Sequence, residues 1–118
     1  MRGGPAEDRI LPRTMPIVWD FEGRAIRLTD ERRDHILEHP ETSALQGSIG
    51  ATLRGPEAVV QSLSDSQVRL YYRHYAGTLV GDKFLCVVVK VTETDAFIVT
   101  AYLTDRMKKG RRIWPVEP

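Results

Sequence analysis

The sequence predicts an α+β fold in which two N-terminal helices pack on one face of a mainly antiparallel sheet of about four strands, with an N-terminal hairpin. Three observations predict it. Segments with helix caps, helical spacing and glycine or proline stops are confined to residues 29–56, whereas β-branched and aromatic residues crowd the chain from Val59 onward. The stretch KFLCVVVKVTETDAFIVTAYL reads as two neighbouring strands, Lys83–Glu93 and Ala96–Leu103, joined by a turn over Thr92–Asp95. Its run Leu85–Val89 is apolar throughout and needs cover on both faces, so it belongs at the centre of a sheet.

Residues 1–16 hold three prolines, two glycines and scattered charges, which predicts a poorly ordered arm ahead of one folded domain over residues 17–118. Ile17–Asp20 and Ala25–Leu28 flank a polar turn at Glu22–Arg24 and form the hairpin. Thr29 caps the first helix, Asp30 and Glu31 favour the positive end of its dipole, and Pro40 ends it near His39. On its surface Arg32, His35 and His39 share one stripe beside Ile36. The second helix, about Ala44 to Leu53, aligns Leu45, Ile49 and Leu53 before Gly55-Pro56 stops it.

Val59–Leu63 and Val68–Tyr75 are the next strands, around a turn at Ser64–Gln67, and Ala76–Asp82 reads as a loop with glycine near both ends. In Val68–Tyr75, Val68, Leu70 and Tyr72 alternate with Arg69, Tyr71, Arg73 and Tyr75, so the apolar set is expected under the helices and the cationic, aromatic set on the open side. In Ala96–Leu103, Phe97, Val99, Ala101 and Leu103 form an apolar face against Ile98, Thr100 and Tyr102. A slip of one residue would exchange the faces of Thr100 and Arg73. Arg111 to Pro115 makes a last edge segment.

A chain of 118 residues carries one modest core, and 42% hydrophobic with 28% charged residues is ordinary for a folded protein. The net charge of +1 hides an uneven layout. DRMKKGRR, Asp105 to Arg112, holds five cations and one anion, a net of +4, so the other 110 residues sum to −3. Such a local positive patch suits a phosphate-bearing partner better than a membrane surface. A single cysteine, Cys86, excludes an intramolecular disulfide and a two-cysteine metal site. No apolar run approaches the roughly 20 residues of a membrane span. The N-terminus lacks the apolar centre of a secretory signal, which points to the cytoplasm or to delivery into a target cell.

With the apolar faces under the helices, the open face would collect Tyr71, Arg73, Lys90, Thr100 and Tyr102, with Arg106 and Lys108 just beyond the last long strand. Cations interleaved with aromatic rings suit single-stranded RNA, the cations taking phosphates and the rings taking bases. A metal-free ribonuclease needs little more than a base for the ribose 2′-hydroxyl proton, cations at phosphorus and an acid for the leaving 5′-oxygen, and it gives a 2′,3′-cyclic phosphate. His35 supplies a group that titrates near neutrality. No metal or cofactor is required.

The strings TDERRDHILEHPE, GATLRGPEAVVQS, LYYRHY, FLCVVVKV and FIVTAYLTDRMKKG, spread from about Trp19 to Trp114, resemble the phage-associated nuclease domains of the barnase, EndoU, colicin and RelE group, the BECR fold. The resemblance implies a toxin-type ribonuclease with a helix-borne histidine, basic residues on the sheet and a hydroxyl residue in the last strand. By position the catalytic set is His35, Arg73, Thr100 and Tyr102, with Arg32, Tyr71, Lys90, Arg106 and Lys108 binding substrate. The partners implied are RNA and an inhibitor or antitoxin protein. Plainer readings stand beside these. His39 caps a helix end, His74 is a satisfied buried imidazole on the inward side with Tyr72, and Cys86 is a small hydrophobe. The same face suits, as second and third readings, a non-catalytic RNA-binding module or a protein-interaction domain.

Overall fold

The computed structural model describes residues 17–116, and the expected arm over residues 1–16 lies outside them. In chain order the elements are β1 (Ile17–Trp19), β2 (Ala25–Arg27), α1 (Asp30–Leu37), α2 (Pro40–Ser43), α3 (Gln46–Arg54), β3 (Ala58–Gln61), β4 (Val68–Thr78), β5 (Gly81–Val91), β6 (Ala96–Thr104) and β7 (Arg111–Trp114). The strands form one sheet, β1-β2-β6-β5-β4-β3-β7, curled into a half-barrel. The expected architecture is thus corrected: the fold is α+β, but the described residues form seven strands and three short helices instead of two helices on about four strands. Two non-local pairings account for the larger sheet. β2 joins β6 in parallel at Arg27 and Phe97, and β7 joins β3 antiparallel through Trp114, Arg112 and Arg111. Pattern within either partner does not announce such pairings. The extra helix follows from Pro40, which ends α1 and then serves as the preorganised first residue of α2.

Thr29 caps α1 as expected, its hydroxyl accepting the Arg32 N–H at 3.2 Å. The helix is short and anchors through Ile36, its one buried residue. Burial of such a side chain contributes about 1.5–3 kcal/mol. From α3, Ile49 and Leu53 join Ile36 over Tyr71, Leu85, Val87, Val89, Ile98 and Ala101, the main core. The opposite side of the sheet carries a second, smaller cluster of Val60, Leu70, Tyr72 and Cys86, flanked by Val68, Phe84, Val88, Tyr102 and Met107. Among the described residues no helical one belongs to it.

Two face assignments are corrected. In β4 the parity is the reverse of the expected one: Tyr71 and Tyr75 pack with the helix-covered core, whereas Leu70 and Tyr72 lie in the second cluster. The apolar-versus-polar alternation misleads here because tyrosine buries its ring whenever its hydroxyl finds a partner, and arginine buries its stem while its head reaches a carbonyl. In β6 the strict alternation fails at a bulge. Val88 pairs with Thr100 but Val89 pairs with Ile98, so Val99 is the extra residue and Ile98 turns under the helices while Thr100 and Tyr102 stay opposite.

The expected loop at 76–82 is instead the tip of a long hairpin. Thr78 pairs with Gly81 around Leu79 and Val80, and Gly77 and Gly81 hold φ of +68° and +100°, values that L side chains rarely adopt. Gly110 serves a different need: a Cβ there would lie 2.5 Å from the Gln61 carbonyl oxygen, so its absence lets the β6–β7 connection run tight against β3. Among the described residues no helix is long and apolar enough to cross a membrane.

Candidate functional site

On the helix-covered side, the polar groups of β4 are committed to holding the fold. Asp20 is buried and accepts four hydrogen bonds, from the Glu22 and Arg24 backbone N–H groups at 2.9 and 2.8 Å, from Arg24 Nη1 at 3.1 Å and from the Tyr71 hydroxyl at 2.7 Å. Burial, followed by this bond and the charge of Asp20, raises the Tyr71 pKa well above its ordinary value, so Tyr71 keeps its proton as the donor. Arg73 Nη1 donates to the Gly55 and Ala51 carbonyls at 3.2 and 3.4 Å, capping the negative end of α3. The Tyr75 and Thr52 hydroxyls meet at 3.0 Å beneath the same helix.

These contacts correct the expected catalytic set. Arg73 and Tyr71 face the helices, and Thr100 and Tyr102 face the other way, with the sheet between them. His35 and Arg32 are exposed on α1, in the helix layer, where the His35 imidazole lies 3.9 Å from the Glu38 carboxylate. His35, Arg73, Thr100 and Tyr102 therefore do not converge on one substrate, and Tyr71 is too deeply buried to stack on a base.

The open side has its own geometry, set by β4–β5–β6 register. Successive rows run His74–Phe84–Thr104, Tyr72–Cys86–Tyr102, Leu70–Val88–Thr100 and Val68–Lys90–Phe97. Rows two residues apart stand about 7 Å apart along the strands. Lys90 is three rows from His74, about 20 Å away, and donates to Asp65 at 3.3 Å; Thr100 is two rows away. Only Tyr102 of the expected open-face groups neighbours the His74 row. The β6–β7 connection returns over this end, where the Lys108 backbone N–H donates to the Tyr72 hydroxyl at 2.9 Å and Met107 packs on the cluster. Arg106 is exposed in the same connection.

His74, expected to be buried, is exposed, with its ring edge-on to Phe84 at 5.3 Å. Its backbone N–H donates to Glu57 Oε2 at 2.9 Å, which anchors an exposed carboxylate to the backbone of the residue that carries the exposed imidazole. Glu57 itself is fixed at the start of β3 by its N–H bond to the Tyr72 carbonyl at 2.7 Å. Pattern reading assigned His74 to the interior and passed over Glu57. His74 follows from the same β4 parity that misplaced Arg73: with Tyr72 on the open side, His74 must be there too. Glu57 has no local signal, since its placement depends on the β3–β4 pairing of Ala58 with Tyr72.

Beneath this corner lies a protonated network. Cys86 Sγ is in hydrogen-bond reach of the Tyr102 and Tyr72 hydroxyls, and burial pushes the thiol up to about 11. Burial likewise pushes Tyr72 up to about 12 and raises Tyr102. These groups hold their protons at neutral pH and act as hydrogen-bond donors, not as bases. The Lys108 ammonium is close enough to favour the charged form of Cys86, and its backbone N–H reaches the Tyr72 hydroxyl, so Lys108 stands at the Tyr72–Cys86 row, next to that of His74. Asp105 pairs with Lys83, and that bond is the main reason its carboxyl lies below the usual range. No family model, curated protein or solved structure matches this chain.

Proposed function

We propose that this chain is a metal-independent endoribonuclease whose site is the open-face corner of Glu57, His74 and Lys108. The observation that carries the reading is the Glu57 carboxylate held on the His74 backbone N–H, because it ties a proton acceptor to the residue that bears the imidazole, one row from Lys108. In this scheme Glu57 takes the proton of the ribose 2′-hydroxyl as its oxygen attacks phosphorus. The P–O5′ bond breaks, and protonated His74 gives its proton to the departing 5′-oxygen, leaving a 2′,3′-cyclic phosphate. Lys108 offsets the charge that gathers on the phosphorane oxygens. Phe84 and Tyr102 border the corner and offer apolar surface to a neighbouring base. The motif resemblance to the barnase, EndoU, colicin and RelE group supports the same reaction class. RNA is then the substrate, the cytoplasm of its own or a target cell is the place of action, and an inhibitor protein would act by covering this corner.

Incubating the protein with end-labelled RNA in EDTA tests the reading. Cyclic-phosphate ends are expected from the wild type, and His74→Ala and Glu57→Gln should each lower the rate by about 10²–10⁴-fold. His35→Ala should cleave at the wild-type rate. Intact RNA, retained by binding that weakens steeply with salt, would identify a non-catalytic binding module instead. Loss of cleavage in the His35 variant would remove the corner from consideration.

A further inference from the structure

The β7 edge carries a second concentration of positive charge, on the other side of the sheet from His74. A cleft of about 370 Å³ is walled by Gln61, Arg69, Arg111, Arg112, Ile113 and Val116. Register explains its shape. Gln61 pairs with Arg69 on β4 and with Arg111 on β7, so the three side chains stand in one row across three strands. Two strand spacings separate the arginines, about 10 Å, a span that two guanidinium arms can close from either side around a tetrahedral anion. Gln61 does not fill the gap with charge, and its Nε2 is tied to the Ser66 carbonyl at 2.7 Å. Ile113 packs inward on the main core and gives the cleft an apolar floor.

The charge balance favours an anion. Among the described residues the carboxylate paired with Arg69 is Glu22, 3.7 Å from Arg69 Nη1 and 3.3 Å from Arg24 Nη1, so it is shared between two guanidiniums. Among the described residues Arg111 has no ion-pair partner, and its side chain is exposed at the mouth of the cleft. Two guanidiniums, those of Arg69 and Arg111, therefore face one concave site, and among the described residues Glu22 is the carboxylate that pairs with Arg69. We propose that this cleft is an anion subsite that binds a phosphate group through Arg69 and Arg111, with Glu22 competing for Arg69. The ligand is either free phosphate or the phosphate of a small phosphorylated molecule. The subsite shares no residue with the Glu57–His74–Lys108 corner, so either assignment can fail alone.

The experiment is a titration of the full chain at constant ionic strength, followed by the arginine Nε–Hε signals in 1H–15N NMR spectra. Inorganic phosphate should shift the Arg69 and Arg111 signals saturably, and Arg111→Gln should weaken the interaction about tenfold, the loss of one charge-assisted pair. Arg69→Gln should act alike, and Glu22→Gln should strengthen binding about threefold by releasing Arg69. Retained amide dispersion of β7 in each variant shows that the sheet edge is intact. Uridine 5′-monophosphate binding as phosphate does, with uridine silent, identifies the phosphate alone as the ligand; tighter binding of the nucleotide identifies a phosphorylated ligand. Shifts that do not saturate, that chloride reproduces, or that persist in both arginine variants would overturn the proposal.

Discussion

Tyr71 and Tyr72 are adjacent in β4 and both are fully buried, yet they lead into different halves of the molecule. Tyr71 points beneath the helices and donates to Asp20, whose other bonds fix the β1–β2 turn. Tyr72 points into the small cluster and accepts from Lys108, which ties down the β6–β7 connection. One tyrosine holds a turn to the main core, and the other holds a basic loop over the open face. The helix-covered side spends its polar groups on cohesion: Arg73 caps α3, and Tyr75 meets Thr52. The open side leaves His74, Glu57 and Arg106 exposed beside a cluster whose members keep their protons. The side of the sheet with the smaller core is the one that leaves these groups open to solvent.

The sharpest test of the two-sided division is at the β6 bulge. Ile98 is under the helices, so Ile98→Ala should cost about 2–5 kcal/mol in urea unfolding. Thr100 is half-buried on the far side, and Thr100→Ala should cost less than about 1 kcal/mol. Equal costs would mean that the strand alternates without interruption and that Val99 is not an extra residue.

The paired tyrosines give a smaller effect. Tyr71→Phe leaves the buried Asp20 carboxylate one donor short and should cost about 1–3 kcal/mol. Tyr72→Phe leaves the Lys108 N–H to find water in a partly open connection, at about 0.5–1.5 kcal/mol. Hydrogen exchange should distinguish them further. The first variant should loosen the β1–β2 turn, and the second should speed exchange at Lys108 while leaving that turn protected. A reversed pattern would interchange the faces of β4.

What the sequence made legible is what short-range physics controls. The Thr29 cap, the stop at Pro40, the Thr92–Asp95 turn and the β5–β6 centre all rest on residues close together in the chain, and all are present. Thr100 and Tyr102 were placed on the open side correctly, although Ile98, assigned with them, is not there. Arg73 was misplaced because its guanidinium answers to the carbonyls of α3, a partner no pattern within LYYRHY reveals. With Tyr71 and Tyr75 on one parity and Tyr72 on the other, neither face of β4 is plainly the apolar one. The parity is decided by which hydroxyl finds Asp20, 51 residues away, and that choice carries His74 to the surface.

Alkaline pH separates the two sides in a further way. The Cys86 thiol is raised by burial from 9.0 to about 11, and the Tyr72 phenol from 10.0 to about 12. In both cases the folded protein holds the proton more tightly than the unfolded chain, so the unfolded state binds fewer protons and stability falls as pH rises through the interval. The stabilisation is fully present below the unfolded value and is lost as pH passes toward the folded one. Tyr71 under the helices is raised as well, but from 10.0, so its contribution begins a unit later than that of Cys86. Between pH 9.0 and 10.0 the decline attributable to these groups therefore comes from the open-face cluster alone. Cys86→Ala should lower stability by a constant offset at neutral pH and flatten the decline in that unit, leaving the steeper fall above it. Unfolding free energies across the interval measure this directly, and an unchanged slope in the variant would show that the thiol is open to water and that the cluster beneath the His74 corner is not closed.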